Sequence, residues 1–148
     1  MNAALRCFNL ISFLDNFIAY EVVMHFAHVM IRVNDLQESI DFYTNTFGMK
    51  LQKKTENAEY KYTLAFLGYS DDPTSETLIE LTHNWGRAEY QHGDAFGHLC
   101  FKVDDVYQAC ERIEAMGGTV TRKPGPVKGG ATVIAFIKDP NGYQIELI

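Results

Sequence analysis

The chain has 148 residues, of which 13 are basic and 19 acidic, so its net charge is −6 with histidine neutral. This length fits one domain and excludes two large ones, and the negative charge argues against general electrostatic binding of nucleic acid or anionic lipid. The three cysteines, Cys7, Cys100 and Cys110, lack CxxC spacing, which argues against a disulfide framework or zinc ribbon and favours reduced thiols in the cytoplasm.

Residues 1–23 are rich in apolar side chains but contain polar interruptions, among them Asp15 and Glu21. No uninterrupted apolar run approaches the ~20 residues that cross a bilayer. A signal peptide is not expected either, because it would need a basic region, a clean apolar stretch and a small-residue cleavage site, whereas this segment has one basic residue, Arg6, and two acidic ones. Two interpretations stay open. The segment is either a short amphipathic helix that rests on the domain or a partner, or an upstream extension before a start at Met24. The domain itself is expected over residues 24–148.

The rest of the chain contains an internal repeat. HVMIRVNDLQESIDFYTNTFGMKL from residue 28 resembles HLCFKVDDVYQACERIEAMGGTV from residue 98, so that His28 matches His98 at a spacing of 70 residues. TLIELT (77–82) likewise resembles GYQIELI (142–148), which matches Glu80 with Glu146. Self-similarity at a nearly fixed spacing indicates two copies of one supersecondary unit.

Each copy is predicted to be a βαβββ module of an α+β fold, over about 25–83 and 97–148. Alternating apolar residues predict a half-buried first strand, and a helix follows it with apolar residues along one stripe. The predicted helix caps are Asn34 or Asp35 and Asp104 or Asp105, and the predicted helix ends are Gly48 and the pair Gly117 and Gly118. The remaining strands are predicted at about 49–54, 60–68 and 77–83, and at about 119–122, 131–138 and 143–148.

The repeat duplicates two side chains that metal chemistry uses, a histidine that opens the first strand and a glutamate inside the last. These candidate ligands are His28, Glu80, His98 and Glu146. Strand alternation points both glutamates away from the core, so a curled sheet in each module is expected to bring all four onto one concave face. Imidazole and carboxylate together suit a divalent transition metal and leave room for water or a chelating substrate. Each residue alone fits an exposed polar position, but their equivalent placement in two repeats favours a metal site.

Three further polar residues are candidate ligand-binding groups. Arg32 shares the strand face of His28 and offers bidentate recognition of a carboxylate. Asn84 adds an amide, and Lys128 lies in the glycine-rich segment GPVKGG, which is flexible enough to close over an anion. Each of the three also fits plain solvated polarity. Cys100 shares the face of His98 but lacks a basic neighbour that would lower its pKa, so we expect it to line the site rather than act as a nucleophile.

These segments resemble the bacterial short type of glyoxalase I, within the vicinal oxygen chelate superfamily. The resemblance covers about residues 24–148 and rests on HVMIRV, SIDFYTNTFGMKL, YTLAFLGY, LIELTHNWG, GHLCFKVDD, GPVKGG and TVIAFIKDPNGYQIELI. It implies the glyoxalase fold with curved mixed sheets and a lactoylglutathione lyase activity that detoxifies methylglyoxal. In this reaction a metal-dependent proton transfer through an enediolate converts the hemithioacetal of methylglyoxal and glutathione to S-lactoylglutathione.

The resemblance also implies roles for single residues and for a second subunit. It implies a homodimer in the cytoplasm, with each site between subunits and one His/Glu pair from each chain. The implied metal is one divalent ion per site, Ni²⁺ before Zn²⁺ or Co²⁺. The implied metal ligands are His28, Glu80, His98 and Glu146. The implied principal base is Glu146, and Glu80 is implied as the base for the opposite face of the substrate. The implied glutathione-binding residues are Arg32, Asn84 and Lys128.

Two alternatives on the same fold stay open. A ring-cleaving dioxygenase would hold iron with His28, His98 and Glu146, but Glu80 as a fourth ligand and the small size of the chain argue against it. A metal-free protein that sequesters a ligand, of the bleomycin-resistance kind, has no need of four ligands in register. The sequence selects neither the native metal nor the thiol, since trypanothione or bacillithiol can replace glutathione in such chemistry.

Overall fold

A computed structural model describes residues 24–148, so both interpretations of residues 1–23, the short helix and the upstream extension, concern residues outside the described part. The first module contains β1 (His28–Arg32), α1 (Leu36–Phe47), β2 (Lys50–Asn57), β3 (Tyr62–Gly68) and β4 (Leu78–Asn84). The second contains β5 (Leu99–Phe101), α2 (Val106–Ala115), β6 (Thr119–Pro126), β7 (Val133–Lys138) and β8 (Gln144–Leu147). The predicted βαβββ repeat is confirmed. Of the helices in residues 24–148, none is both long and apolar enough to cross a membrane.

Each module forms its own four-stranded mixed sheet, and the two sheets have equivalent strand orders, β1-β4-β3-β2 and β5-β8-β7-β6. The first and last strands of each module pair in parallel, whereas the other neighbours are antiparallel. Two parallel strands require a connection that crosses over the sheet. In the first module this connection starts with α1, and in the second it starts with α2. The fold class is α+β, as the sequence predicts.

An aspartate side chain caps the N-terminus of each helix. Its carboxylate accepts a hydrogen bond from the backbone N–H of the residue three positions later in the chain. Asp35 accepts from the Glu38 N–H at 2.9 Å, and Asp105 accepts from the Gln108 N–H at 3.0 Å. Of the two predicted cap residues for each helix, the structure therefore selects Asp35 over Asn34 and Asp105 over Asp104. α1 ends at Gly48, whose φ of 68° is the left-handed conformation that glycine adopts without strain.

Strand β6 extends to Pro126, beyond the predicted end near residue 122. Glycine and proline in this segment argue against a strand, but two shifts of register with β7 accommodate them. The Arg122 guanidinium donates to the carbonyl oxygens of Ile134 at 2.7 Å and of Pro126 at 2.9 Å, which holds the irregular part of the strand in place.

Apolar packing joins the two modules through α1. The Phe47 ring, at the end of α1, stacks on the Phe101 ring of β5 with a centroid distance of 4.0 Å. Tyr43, one helical turn earlier, is fully buried and lies 6.4 Å from the same ring. These aromatic contacts make the core continuous across the repeat boundary.

A buried carboxylate adds a polar connection between the modules. Asp139, in the turn between β7 and β8, is 5% exposed and accepts from the Tyr143 N–H at 2.8 Å, the Asn141 N–H at 2.9 Å and the Tyr43 hydroxyl at 3.1 Å. Burial raises the pKa of Asp139, and these hydrogen bonds offset part of that effect. Burial and the nearby Asp139 raise the pKa of Tyr43, so its hydroxyl remains a donor. Asn141 extends the connection, because its side-chain oxygen accepts from the Asn34 N–H at 2.8 Å.

The substitution Tyr43→Phe tests this connection, because it removes one donor to Asp139 and keeps the aromatic ring in the core. We expect the free energy of unfolding to fall by about 1–3 kcal/mol, the cost of leaving a buried acceptor with one partner fewer. Chemical denaturation measures the change. Tyr107→Phe, on the exposed side of α2, is the matched control and should change stability by less than about 0.5 kcal/mol. Equal effects of the two substitutions would contradict a role for the hydroxyl.

Candidate active site

Parallel strand pairing places one histidine beside one glutamate in each module. Met30 is the register partner of Glu80, so His28, two residues earlier on the same face, lies diagonally across from Glu80 with 3.0 Å between Nε2 and Oε2. In the second module Cys100 is the partner of Glu146, and the His98 Nε2 lies 3.0 Å from the Glu146 Oε2. The repeat in sequence is thus a repeat of one side-chain geometry.

Each pair is bordered by a phenylalanine that the sequence analysis missed. Phe66 on β3 pairs with Glu80 and meets the His28 ring edge to face at 5.9 Å. Phe136 on β7 pairs with Glu146 and meets the His98 ring in the same way at 5.3 Å. The two phenylalanines are 70 residues apart, the same spacing as the histidines, so the repeat alignment contains the signal for them.

The surroundings leave the imidazoles accessible and shield the carboxylates. The side chains of His28 and His98 are 42% and 39% exposed, whereas those of Glu80 and Glu146 are 13% and 18% exposed. The imidazole of each pair is therefore accessible from outside the chain, whereas its carboxylate partner is shielded.

A single chain does not bring all four candidate ligands together. Within residues 24–148, no group of three or more histidine, cysteine, aspartate or glutamate side chains is arranged to hold a metal ion. The expectation of one concave face with both pairs therefore does not hold for one chain, because the pairs lie on two sheets that share no strand pairing. Each module instead presents two of the four candidate ligands.

The donor atoms of each pair fit a divalent transition metal. An imidazole nitrogen and a carboxylate oxygen are donor types that bind such an ion. In both modules these two donor atoms lie side by side, 3.0 Å apart. Two such pairs would supply two imidazoles and two carboxylates to one ion.

The two glutamates differ in their hydrogen-bond partners. The Thr82 hydroxyl donates to the second carboxylate oxygen of Glu80, Oε1, at 3.0 Å. Glu146 has the Cys100 thiol beside it instead, and a thiol is a weaker donor than a hydroxyl. Burial raises the pKa of the Cys100 thiol, and the charge of Glu146 raises it further, in agreement with the expectation that Cys100 is not a nucleophile.

The structure brings Arg32 and Asn84 together. They line one cavity of about 400 Å³ together with Arg87, Tyr90 and Gln91. The Asn84 amide donates to the Tyr90 hydroxyl at 2.9 Å, which holds the segment between β4 and β5 against the end of β4. Sequence analysis missed these last three residues, because they lie in a polar connection without periodicity.

Lys128 does not line this cavity. It lies in a tight turn that is closed by the hydrogen bond from the Gly130 N–H to the Val127 carbonyl oxygen at 3.0 Å, with Gly129 at a φ of 78°. Lys128 is exposed in this glycine-containing turn, and within residues 24–148 its ammonium group forms no ion pair. Contact between Lys128 and the ligand of the Arg32 cavity stays a prediction.

Comparison with known proteins connects this geometry with one family. Residues 25–147 match the Glyoxalase/Bleomycin resistance protein/Dioxygenase superfamily. A Vibrio cholerae protein named "Probable lactoylglutathione lyase" is 61% identical over 121 residues, which cover 82% of this chain and 87% of that protein. The lactoylglutathione lyase of Salmonella typhimurium is 58% identical over 125 residues, which cover 84% of this chain and 92% of that protein.

Solved structures give the same result. Glyoxalase I from Zea mays superposes with a TM-score of 0.79 at 49% identity, over 83% of this chain and 43% of that chain, so this chain spans less than half of the Zea mays protein. The trypanothione-dependent glyoxalase I of Leishmania major superposes with a TM-score of 0.75 at 40% identity, over 85% of this chain and 86% of that chain.

Proposed function

We propose that this chain, which belongs to the Glyoxalase/Bleomycin resistance protein/Dioxygenase superfamily and within it to the lactoylglutathione lyases, converts the hemithioacetal of methylglyoxal and glutathione to S-lactoylglutathione. The observation that carries the proposal is the duplicated His–Glu pair with the same 3.0 Å separation in both modules. Relatives with identities of 51–61% that are named lactoylglutathione lyases favour this reaction over ring cleavage or ligand sequestration.

The proposed cofactor is one divalent ion per site, Ni²⁺ before Zn²⁺ or Co²⁺. Its proposed ligands are His28, Glu80, His98 and Glu146. The ion supplies positive charge that stabilises the negative charge that develops on the substrate oxygens. The mixed nitrogen and oxygen donor set supports this class of metal and does not select among its members.

A complete site requires a second copy of the chain. Each module presents only two ligands, and the outward-facing imidazoles leave them accessible to another subunit. We therefore propose a homodimer in which His28 and Glu80 of one subunit face His98 and Glu146 of the other. Such an arrangement gives two equivalent sites per dimer.

Glu146 is the proposed principal base. The reaction moves a proton from the carbon that bears the sulfur to the neighbouring ketone carbon. The hydroxyl on the first carbon loses its proton and becomes the thioester carbonyl, and the ketone oxygen on the second carbon takes up a proton and becomes a hydroxyl. Glu146 accepts the proton from the first carbon and returns it to the second. The hydroxyl of Thr82 donates to one oxygen of Glu80, so that oxygen is already engaged, which supports Glu146 as the principal base and leaves Glu80 for the opposite substrate face.

The proposed thiol-binding residues are Arg32, Asn84 and Lys128. Arg32 pairs with a carboxylate of glutathione, since a guanidinium matches the planar geometry of that group. Asn84 binds an amide of the tripeptide, and its position in the same cavity as Arg32 supports this role. Lys128 supplies an additional positive charge from the exposed turn.

The proposed location is the cytoplasm. In the described part of the chain, Cys100 and Cys110 are both free. Unpaired thiols and a glutathione-derived substrate fit a compartment in which glutathione is kept reduced.

Removal of the metal should abolish activity without unfolding the protein. The metal-free protein should show no thioester formation from methylglyoxal and glutathione, and addition of Ni²⁺, Co²⁺ or Zn²⁺ in turn should restore it with at least one ion. Absorbance of the thioester product measures the rate, and circular dichroism serves as the control for folding. A folded protein that is inactive with every ion would refute the proposed function.

The substitution Glu146→Gln should lower kcat by about 10²–10⁴-fold, the usual contribution of a positioned base. Glutamine keeps an oxygen that can bind the ion but cannot take up the proton, so bound metal, measured by atomic emission after dialysis, should largely remain. Glu111→Gln, on the exposed surface of α2, is the matched control and should retain the wild-type rate. Near-normal activity of Glu146→Gln would show that another group is the base.

A further inference from the structure

A second arginine lies in the cavity that contains Arg32. The chain turns sharply after β4, where the Arg87 N–H donates to the Asn84 carbonyl oxygen at 3.2 Å. Gly86 makes this turn possible, because its φ of 75° is strained for other residues. The turn brings the Arg87 side chain back to the cavity wall.

The Arg87 guanidinium is oriented by the segment that carries it. It lies over the Tyr90 ring at 5.2 Å, and its Nε donates to the Glu89 carbonyl oxygen at 3.4 Å. Within residues 24–148, its two terminal nitrogens have no hydrogen-bond or ion-pair partner in the protein. The nitrogens that bind carboxylates in a bidentate manner are therefore available to a ligand.

The charge of the cavity differs in sign from that of the whole chain. Two arginines and no acidic side chain line it, although the chain has a net charge of −6. A tripeptide thiol such as glutathione carries two carboxylates, one on its γ-glutamyl residue and one on its glycine. Two guanidinium groups in one cavity match this pair of negative charges better than one group does.

We propose that Arg87 binds a carboxylate of the tripeptide thiol and makes the site selective for anionic thiols over thiols in which that carboxylate is an amide. This inference rests on the proposed function, and it adds a specificity residue to the same site. Arg87 lies in a partly exposed cavity outside the His–Glu pairs, so it acts on substrate binding. Its removal should therefore raise KM and leave kcat nearly unchanged.

The first test compares Arg87→Gln with the wild type in the metal-loaded, full-length enzyme. With the hemithioacetal of methylglyoxal and glutathione, KM should rise about 5–30-fold while kcat stays within about twofold, the effect of one lost charge-assisted hydrogen bond. Arg87→Lys should raise KM less, because it keeps the charge but loses the planar fork. Lys54→Gln, an exposed substitution on β2, is the control for loss of one positive charge and should leave KM unchanged.

The second test repeats these measurements with two neutralised thiols, one with the glycine carboxylate as an amide and one with the γ-glutamyl carboxylate as an amide. The effect of Arg87→Gln should disappear with the analogue that lacks the carboxylate bound by Arg87, which also identifies that carboxylate. An unchanged KM in Arg87→Gln, or an equal rise with all three thiols, would overturn the inference. An inactive wild type would instead contradict the proposed function, so the two failures are distinguishable.

Discussion

The parallel pairing of the first and last strands in each module is the constraint on which the candidate site depends. This pairing places His28 two residues from the register partner of Glu80, and His98 in the same relation to Glu146. A shift of register by one residue would turn either glutamate toward the core and separate it from its histidine. The helix that crosses over the sheet makes the pairing possible, and antiparallel neighbours on the other side of β4 and β8 hold it.

The connection between the modules also positions the site. The turn that contains Asp139 leads directly into β8, so the hydrogen bonds that attach it to α1 also position the strand of Glu146. Tyr143, in the same turn, accepts a hydrogen bond from the Arg32 N–H at 3.2 Å. One buried carboxylate thus links the strand of the proposed base with the strand that carries Arg32. This link explains why a polar network replaces apolar packing at that point of the core.

Local sequence signals predicted the elements of this fold well. Period-2 alternation gave the strand faces, aspartate and glycine gave the helix ends, and the repeat gave both His–Glu pairs. Strand order and the separation of the two sheets depend on contacts between distant residues, so the sequence pattern did not show that one chain keeps the pairs apart. Arg87 and Tyr90 were missed because the turn after β4 has no periodicity, and their place in the cavity depends on contacts with Asn84.

Mixing two inactive variants tests the shared site most directly. One variant carries His28→Ala and Glu80→Gln, and the other carries His98→Ala and Glu146→Gln, so neither homodimer has an intact set of ligands. Refolding them together should restore about one quarter of the wild-type activity per subunit, because about half of the dimers are mixed and each mixed dimer has one intact site. Different affinity tags on the two chains allow mixed dimers to be isolated. Purified mixed dimers without activity would contradict a site shared between subunits.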